Sequence, residues 1–189
     1  MGNIPGSLLV LSGPSGVGKT TIARRLAEVP GVVRVMTTTT RAPRPQEQDG
    51  RDYRFLTREA FEAAIGRGEF LEHAEIGGNL YGTPRAAIER ELGAGRVVLV
   101  DIDVQGAASV RATGLPTFTV FVAPPSMDEL RKRLVGRRSE GPDAVRQRLE
   151  RAEREMSQQG LYDVVVVNRT VEETVAEIVG EARKRNILK

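Results

Sequence analysis

A glycine-rich loop between a short apolar run and a helical pattern constrains this chain more than any other feature. Its residues are Gly13-Pro14-Ser15-Gly16-Val17-Gly18-Lys19-Thr20, which fit the pattern G-x-x-x-x-G-K-[ST]. The run Ser7–Ser12 before the loop predicts a buried strand, and the apolar spacing after it predicts a helix. Glycines let backbone N–H groups point inward around a polyphosphate, and the helix N-terminus adds partial positive charge. The loop therefore predicts a nucleoside triphosphate site, with Lys19 on the β- and γ-phosphates and Thr20 on a magnesium ion.

Strand-like runs alternate with helical patterns along the whole chain. The predicted core strands are rich in Val, Leu and Ile, and they span residues 8–11, 32–36, 97–100, 117–122 and 164–167. Such composition is typical of strands covered on both faces. The predicted helices span residues 19–28, 58–65, 84–91, 104–111, 127–135, 142–156 and 171–185. This alternation predicts an α/β fold of the three-layer P-loop NTPase type, with a mostly parallel central sheet.

Composition argues against several classes of protein. The 189 residues contain no cysteine, which excludes a disulfide framework and cysteine-ligated metal and fits a reducing cytoplasm. No leader pattern or long apolar run is present, so we expect neither secretion nor a membrane span. The net charge of +3 comes with dispersed arginines and only 4% aromatic residues. That pattern does not favour a nucleic-acid partner.

Two segments interrupt the regular alternation. Residues 37–95 are polar and poor in long apolar runs, and we interpret them as an inserted substrate module. Residues 126–157 are dominated by charge, with a Gly- and Pro-containing break between two helical patterns, which is typical of a mobile lid. The alternative is a solvated helical hairpin without a functional role. The remaining residues, 1–36, 96–125 and 158–189, form the predicted core nucleotide-binding domain.

Four further motifs follow the loop in order. They are T-T-R-x-P-R at residues 39–44, G-x-D-Y-x-F at 50–55, Y-G-T at 81–83 and D-I-D-x-Q-G at 101–106. Together with the loop they closely resemble the motifs of the guanylate kinases, which transfer phosphate from ATP to GMP. The resemblance covers residues 9–168. It implies Mg²⁺-dependent, in-line transfer of the γ-phosphoryl group in the cytoplasm, with residues 37–95 as a GMP-binding module and residues 126–157 as a lid.

The resemblance also implies a set of GMP-binding residues. Arg41, Arg44 and two tyrosines correspond to the family's clamp on the acceptor phosphate. Glu72 corresponds to the base reader, because a carboxylate accepts hydrogen bonds from guanine N1–H and the 2-amino group together, whereas adenine presents a lone pair at N1. The full GMP set is Thr37, Arg41, Arg44, Tyr53, Glu72, Tyr81, Thr83 and Asp103.

The donor side follows by the same resemblance. The ATP set is Gly13, Pro14, Ser15, Gly16, Val17, Gly18, Lys19, Thr20, Thr21, Arg133, Arg137 and Asn168. The catalytic set is Lys19, Arg41, Arg133, Arg137 and Arg148. Thr20 and Asp101 are implied as metal ligands, and whether Asp101 and Asp103 exchange roles is left open. The family's R-G-T-[DE] is replaced by Arg137-Arg138-Ser139-Glu140, which leaves open whether Arg137 or Arg138 faces the phosphates.

Three other functions fit the sequence less well. A catalytically inactive binding module of this family typically has a damaged phosphate loop, whereas Lys19 and Thr20 are present. A kinase for another phosphate-bearing acceptor should lack the base-reading residues. A signalling GTPase needs an N-K-x-D segment, which the sequence does not contain. We predict a structural role for the single histidine, His73. The oligomeric state, regulation and the use of dGMP are left open.

Overall fold

A computed structural model describes residues 6–45, 47–135 and 142–189 of the chain. The strands within these residues are β1 (Ser7–Ser12), β2 (Val32–Arg34), β3 (Thr38–Thr39), β4 (Arg54–Phe55), β5 (Phe70–Ile76), β6 (Asn79–Pro84), β7 (Val97–Asp101), β8 (Thr117–Ala123) and β9 (Val164–Val167). The helices are α1 (Lys19–Leu26), α2 (Arg58–Gly66), α3 (Arg85–Gly93), α4 (Val104–Ala112), α5 (Met127–Val135), α6 (Pro142–Met156) and α7 (Val171–Lys184). A short 3₁₀ helix spans Gln159–Leu161.

The central sheet has five parallel strands in the order β2-β7-β1-β8-β9. Its side chains alternate between two apolar layers, as the pleat of a strand requires. Leu9 and Leu11 pack on one face with residues of α1 and α7, and Leu8 and Val10 pack on the other with residues of α3 and α4. The predicted α/β fold with a mostly parallel central sheet is therefore confirmed.

Most element bounds follow from local pattern. Every predicted core strand and helix is present, and no bound differs by more than two residues. Side-chain caps explain where several helices begin. The Thr57 hydroxyl accepts the Ala60 N–H at α2, and the Thr170 hydroxyl accepts the Glu173 N–H at α7.

A second sheet lies within residues 37–95, the segment that is polar and poor in long apolar runs. Its four strands have the order β4-β3-β6-β5, and β5 pairs antiparallel with β6. We did not predict these strands, because β3 and β4 have only two residues each and β5 and β6 carry many polar residues. A small apolar cluster holds α2 against the sheet, and its buried members are Phe61, Ala64, Phe70 and Leu80.

Helices α5 and α6 lie against each other. They share a separate apolar cluster whose buried members are Leu130, Leu134, Leu149 and Ala152. The two helices therefore bury leucine contacts of their own. Among the helices that the structure describes, none is long and apolar enough to cross a membrane.

Candidate functional site

A cleft of about 640 Å³ opens at the carboxyl ends of the central strands. Its walls are the glycine-rich loop, the second sheet and one face of α6. The predicted site residues that line it are Gly13, Ser15, Gly16, Gly18, Lys19, Thr20, Thr21, Thr37, Arg41, Arg44, Tyr53, Glu72, Tyr81, Asp101, Asp103 and Arg148. Ligands of open α/β sheets bind at this edge, because the loops that follow the strands converge there.

The backbone of the loop has the conformation that its glycines allow. Gly13, Gly16 and Gly18 have φ of 137°, 89° and 106°. A Cβ on Gly13 would lie 2.2 Å from the Val122 carbonyl oxygen, so this position admits only glycine. The Lys19 ammonium donates to the carbonyl oxygens of Gly13 and Pro14 at 2.5 and 3.0 Å. The loop thus holds the ammonium of a lysine that lines the cleft.

Lys19 lies among several carboxylates. Burial lowers the pKa of its ammonium, and the negative charges of Glu155, Asp101 and Asp103 oppose that shift. A buried ammonium in this setting is stabilised by anions, whether they belong to the protein or to a ligand.

Asp101 ends β7 next to the loop. The Thr20 hydroxyl donates to Asp101 Oδ2 at 3.3 Å. Arg34 binds the other oxygen, Oδ1, through Nε and Nη2 at 3.2 and 3.0 Å. A hydroxyl and a carboxylate side by side are the oxygen donors that Mg²⁺ prefers at phosphate sites, where it keeps few protein ligands. Thr20 and Asp101 therefore fit a magnesium ion.

Glu72 on β5 lies opposite Thr83 on β6 in the strand register. The Thr83 hydroxyl donates to Glu72 Oε1 at 2.5 Å. Burial raises the pKa of Glu72 to about 7, and the charge of Asp103 acts in the same direction, while the hydrogen bond from Thr83 acts against it. Thr37 lines the same part of the cleft, and its buried hydroxyl has no hydrogen-bond partner among the described residues. The Thr37 hydroxyl can therefore donate to or accept from a polar ligand in the cleft.

The two arginines of the predicted phosphate clamp share one carboxylate. Arg41 Nη2 donates to both oxygens of Glu47 at 3.0 and 2.8 Å, and Arg44 Nη1 lies 3.7 Å from Glu47 Oε1. The Arg41 guanidinium also lies 5.4 Å from the centre of the Tyr53 ring, which in turn contacts Tyr81 edge-on. Sequence reasoning missed Glu47, although it lies within the segment that carries the arginines and could be identified by its spacing from Arg44.

The face of α6 toward the cleft carries three residues that sequence reasoning also missed, which are Gln147, Arg151 and Glu155. Arg151 and Glu155 line the cleft together with the predicted Arg148. Their positions are three and seven residues after Arg148, which places all three on one helical face. That spacing is the signal that could have identified them.

Some predicted residues lie behind the loop rather than in the cleft. Arg133 donates to the carbonyl oxygens of Val17 and Asn168, each at 3.3 Å. The buried Asn168 side chain donates to Val17 O at 2.7 Å and accepts from the Thr174 hydroxyl at 3.1 Å. In this structure both side chains support the loop. Pro14, Val17 and Thr83 do not line the cleft either, and Arg137 and Arg138 lie outside the described residues.

His73 differs from its neighbour Glu72 in exposure. Glu72 is buried, whereas His73 is exposed, as expected for consecutive residues of a strand. It does not line the cleft.

Comparisons with known proteins agree with one another. The family model described as guanylate kinase matches residues 6–182. The guanylate kinase of Parasynechococcus marenigrum is 46% identical over 176 residues, which are 93% of this chain and 97% of that protein. The guanylate kinase of Thermus thermophilus is 45% identical over 177 residues, or 94% and 79% of the two chains. The crystal structure of guanylate kinase from Anaplasma phagocytophilum superposes with a TM-score of 0.83 at 37% identity, covering 99% of this chain and 89% of that one.

Proposed function

The chain belongs to the guanylate kinase family, and we propose that it transfers the γ-phosphoryl group of ATP to GMP, giving ADP and GDP. The observation that carries the proposal is that one cleft is lined both by the phosphate loop and by Glu72 and Thr37. Arg41 and Arg44 line the same cleft. Two anionic nucleotides bound end to end need a phosphate loop for the donor, cations for the acceptor phosphate and polar groups for the acceptor base.

ATP binds with its phosphates against the amides of the loop and the Lys19 ammonium. Thr20 and Asp101 would hold a magnesium ion, which would supply charge neutralisation at the phosphate oxygens of ATP. The separation of the two aspartates supports this assignment: Asp101 contacts Thr20, whereas Asp103 caps α4 by accepting the Gly106 N–H at 2.9 Å. Asp103 belongs to the acceptor side, near Glu72. Arg133 and Asn168 act on ATP through their support of the loop and through direct contact on closure.

GMP binds with its base against Glu72. The ionised carboxylate accepts from guanine N1–H and the 2-amino group, and the Thr37 hydroxyl, which has no partner among the described residues, donates to an acceptor of the base. Thr83 acts on the base through Glu72, because its own O–H is donated to that carboxylate. Adenine is rejected because it places a lone pair against the carboxylate. Arg41 and Arg44 bind the acceptor phosphate with Tyr53 and Tyr81. Glu47 keeps the two guanidinium groups together for this purpose.

Transfer needs no general base, because the attacking phosphate oxygen of GMP is already ionised. Positioning and electrostatic stabilisation supply the rate enhancement. Lys19, Arg41, Arg148, Arg133 and Arg137 are the cations that stabilise charge on the moving phosphoryl group. Residues 1–36, 96–125 and 158–189 form the core, and residues 37–95 form the GMP-binding module. Residues 126–157 close over both as a lid. This closure excludes water and so prevents hydrolysis of ATP. We assign the activity to the cytoplasm, in keeping with the absence of cysteine.

The test is a coupled assay of ADP release from Mg-ATP with GMP, dGMP, AMP, CMP or UMP as acceptor. We expect rapid ADP release with GMP and little with AMP or the pyrimidine nucleotides, and the dGMP rate establishes whether the ribose 2′-hydroxyl matters. Lys19→Ala should abolish turnover while GMP binding stays measurable by calorimetry. Equal rates with GMP and AMP, or ATP consumption that needs no acceptor, would contradict the proposal.

A further inference from the structure

Glu155 of α6 brings a carboxylate to the phosphate loop. Its side chain is buried, and the Ser15 N–H donates to Glu155 Oε2 at 3.2 Å. Of the charged side chains around Lys19, Glu155 has the largest effect on the pKa of its ammonium, which it raises. A protein carboxylate therefore already interacts with both kinds of group, a loop amide and the loop ammonium, that a triphosphate needs.

Arg151, one turn earlier on α6, joins this carboxylate to a second one. Its Nε donates to Glu155 Oε1 at 2.7 Å, and its Nη2 donates to Asp103 Oδ2 at 3.1 Å. One guanidinium thus offsets the charge of two acidic side chains that line the cleft. A charge-assisted pair of this length is among the stronger polar contacts in a protein.

Carboxylate and phosphate oxygens are the same class of acceptor for an N–H group, and both are anions. A triphosphate that approaches the loop must either displace the Glu155 carboxylate or bind beside it against like-charge repulsion. Both routes weaken donor binding. Arg151 reduces that opposition, because it offsets the charge of Glu155.

We propose that Glu155 competes with the donor triphosphate for the phosphate loop, and that Arg151 is a positioning residue that limits this competition by holding and neutralising Glu155. This inference rests on the proposed function, since it takes the loop as the ATP site. It assigns opposite effects on donor affinity to two side chains in direct contact. If the pair had a purely structural role, removal of either side chain would change the affinity for the donor in the same direction.

The experiment measures binding of the Mg-bound β,γ-imido analogue of ATP to the full chain by titration calorimetry. Glu155→Gln removes the competing charge, and we expect roughly tenfold tighter binding. Arg151→Gln leaves Glu155 un-neutralised, and we expect several-fold weaker binding, which Arg151→Lys should largely restore. In steady-state assays Glu155→Gln should lower KM for ATP and leave KM for GMP unchanged.

Glu153→Gln and Arg154→Gln are the matched controls, since both residues are exposed on the same helix. They should leave binding of the analogue unchanged. Glu155→Ala repeats the charge removal without an amide and should also tighten binding, which keeps the test valid if the Gln variant folds poorly.

The proposal is overturned if Glu155→Gln and Glu155→Ala weaken binding or leave it unaltered, or if the Arg151→Gln effect has the same sign as theirs. Failure of the proposed function looks different. In that case the unmodified chain itself would bind no ATP analogue or would not phosphorylate GMP.

Discussion

Glu72 combines burial with a functional requirement for negative charge. Only 6% of its surface is exposed, and its raised pKa of about 7 leaves it partly protonated at neutral pH. Two donors of guanine facing the carboxylate favour the ionised form. Bound guanine therefore stabilises the negative charge of Glu72, whereas burial opposes that charge in the ligand-free chain.

This environment predicts a pH dependence. Ionised Glu72 is the form that accepts from N1–H and the 2-amino group, so kcat/KM for GMP should rise as the pH increases through about 7. The profile of kcat/KM between about pH 5.5 and 8.5 at saturating Mg-ATP measures it. The phosphate of GMP also ionises for the second time near pH 6, so it adds a second rise to the pH profile of kcat/KM.

Glu72→Gln separates the two ionisations. The variant should lose roughly 1.5–3 kcal/mol of transition-state stabilisation with GMP. Its profile of kcat/KM should keep only the rise near pH 6 that belongs to the phosphate of GMP. The affinity for ATP should change little. If the rise of kcat/KM near pH 7 remained in this variant, a group other than Glu72 would be responsible for it.

At the scale of elements, β6 depends on a glycine for its packing against α2. A Cβ on Gly82 would lie 2.8 Å from Phe70 Cδ1 and 2.9 Å from Phe61 Cζ. The Phe61 and Phe70 rings stack at 4.4 Å, so neither can move without loss of contact with the other. The sheet that carries Glu72 and Thr83 is therefore held to α2 through a close approach that only glycine permits.

Two glycine-to-alanine substitutions should have opposite effects on stability. Gly82→Ala should lower the free energy of unfolding by about 1–3 kcal/mol, because it overpacks the phenylalanine pair. Gly180→Ala, inside α7 and with open space around the added methyl group, should raise it by about 0.5–1 kcal/mol. Urea denaturation of both variants measures the difference, and a stabilising Gly82→Ala would contradict the packing argument.

At the scale of the whole molecule, a buried carboxylate links the segment before β4 to the helix that follows the phosphate loop. Asp52 accepts from the Gln48 N–H at 3.0 Å and from Arg51 Nη2 at 2.9 Å. It also pairs with Arg24 of α1. The hydrogen bond from Gln48, followed by those from the two arginines, lowers the pKa of Asp52 to about 2. The acceptor side and the donor side of the cleft are thus joined by an ion pair outside it.

The lowered pKa makes this contribution depend on pH. A carboxylate whose pKa is lower in the folded chain stabilises the fold above its unfolded value and loses that effect as the pH falls from about 4 to about 2. Asp52→Asn should therefore lower the free energy of unfolding at pH 7 by roughly 1.5–3 kcal/mol. Its difference from the unmodified chain should shrink toward pH 2.

Glu62→Gln is the control for this prediction, since it removes an exposed ion pair with Arg58. It should change the free energy of unfolding by less than about 0.5 kcal/mol. A loss for Asp52→Asn no larger than that of the control would mean that the link contributes no stability.

Local pattern determined much of this protein. The loop at residues 13–20, the core strands and the helices around them follow from hydrophobic period and glycine placement, which act over a few neighbouring residues. The motifs likewise predicted most residues that line the cleft. The short strands β3 and β4 could not be predicted, because two residues carry no period of their own.

Only the tertiary structure decided which side chains face one another. Glu155 meets the Ser15 amide from 140 positions along the chain, and Arg133 meets Val17 from 116, so no local rule connects them. Contacts of this kind depend on how helices and sheets pack, and packing decides which polar groups are buried together. The residue types came from the sequence, whereas the charges that each of them experiences came from the fold.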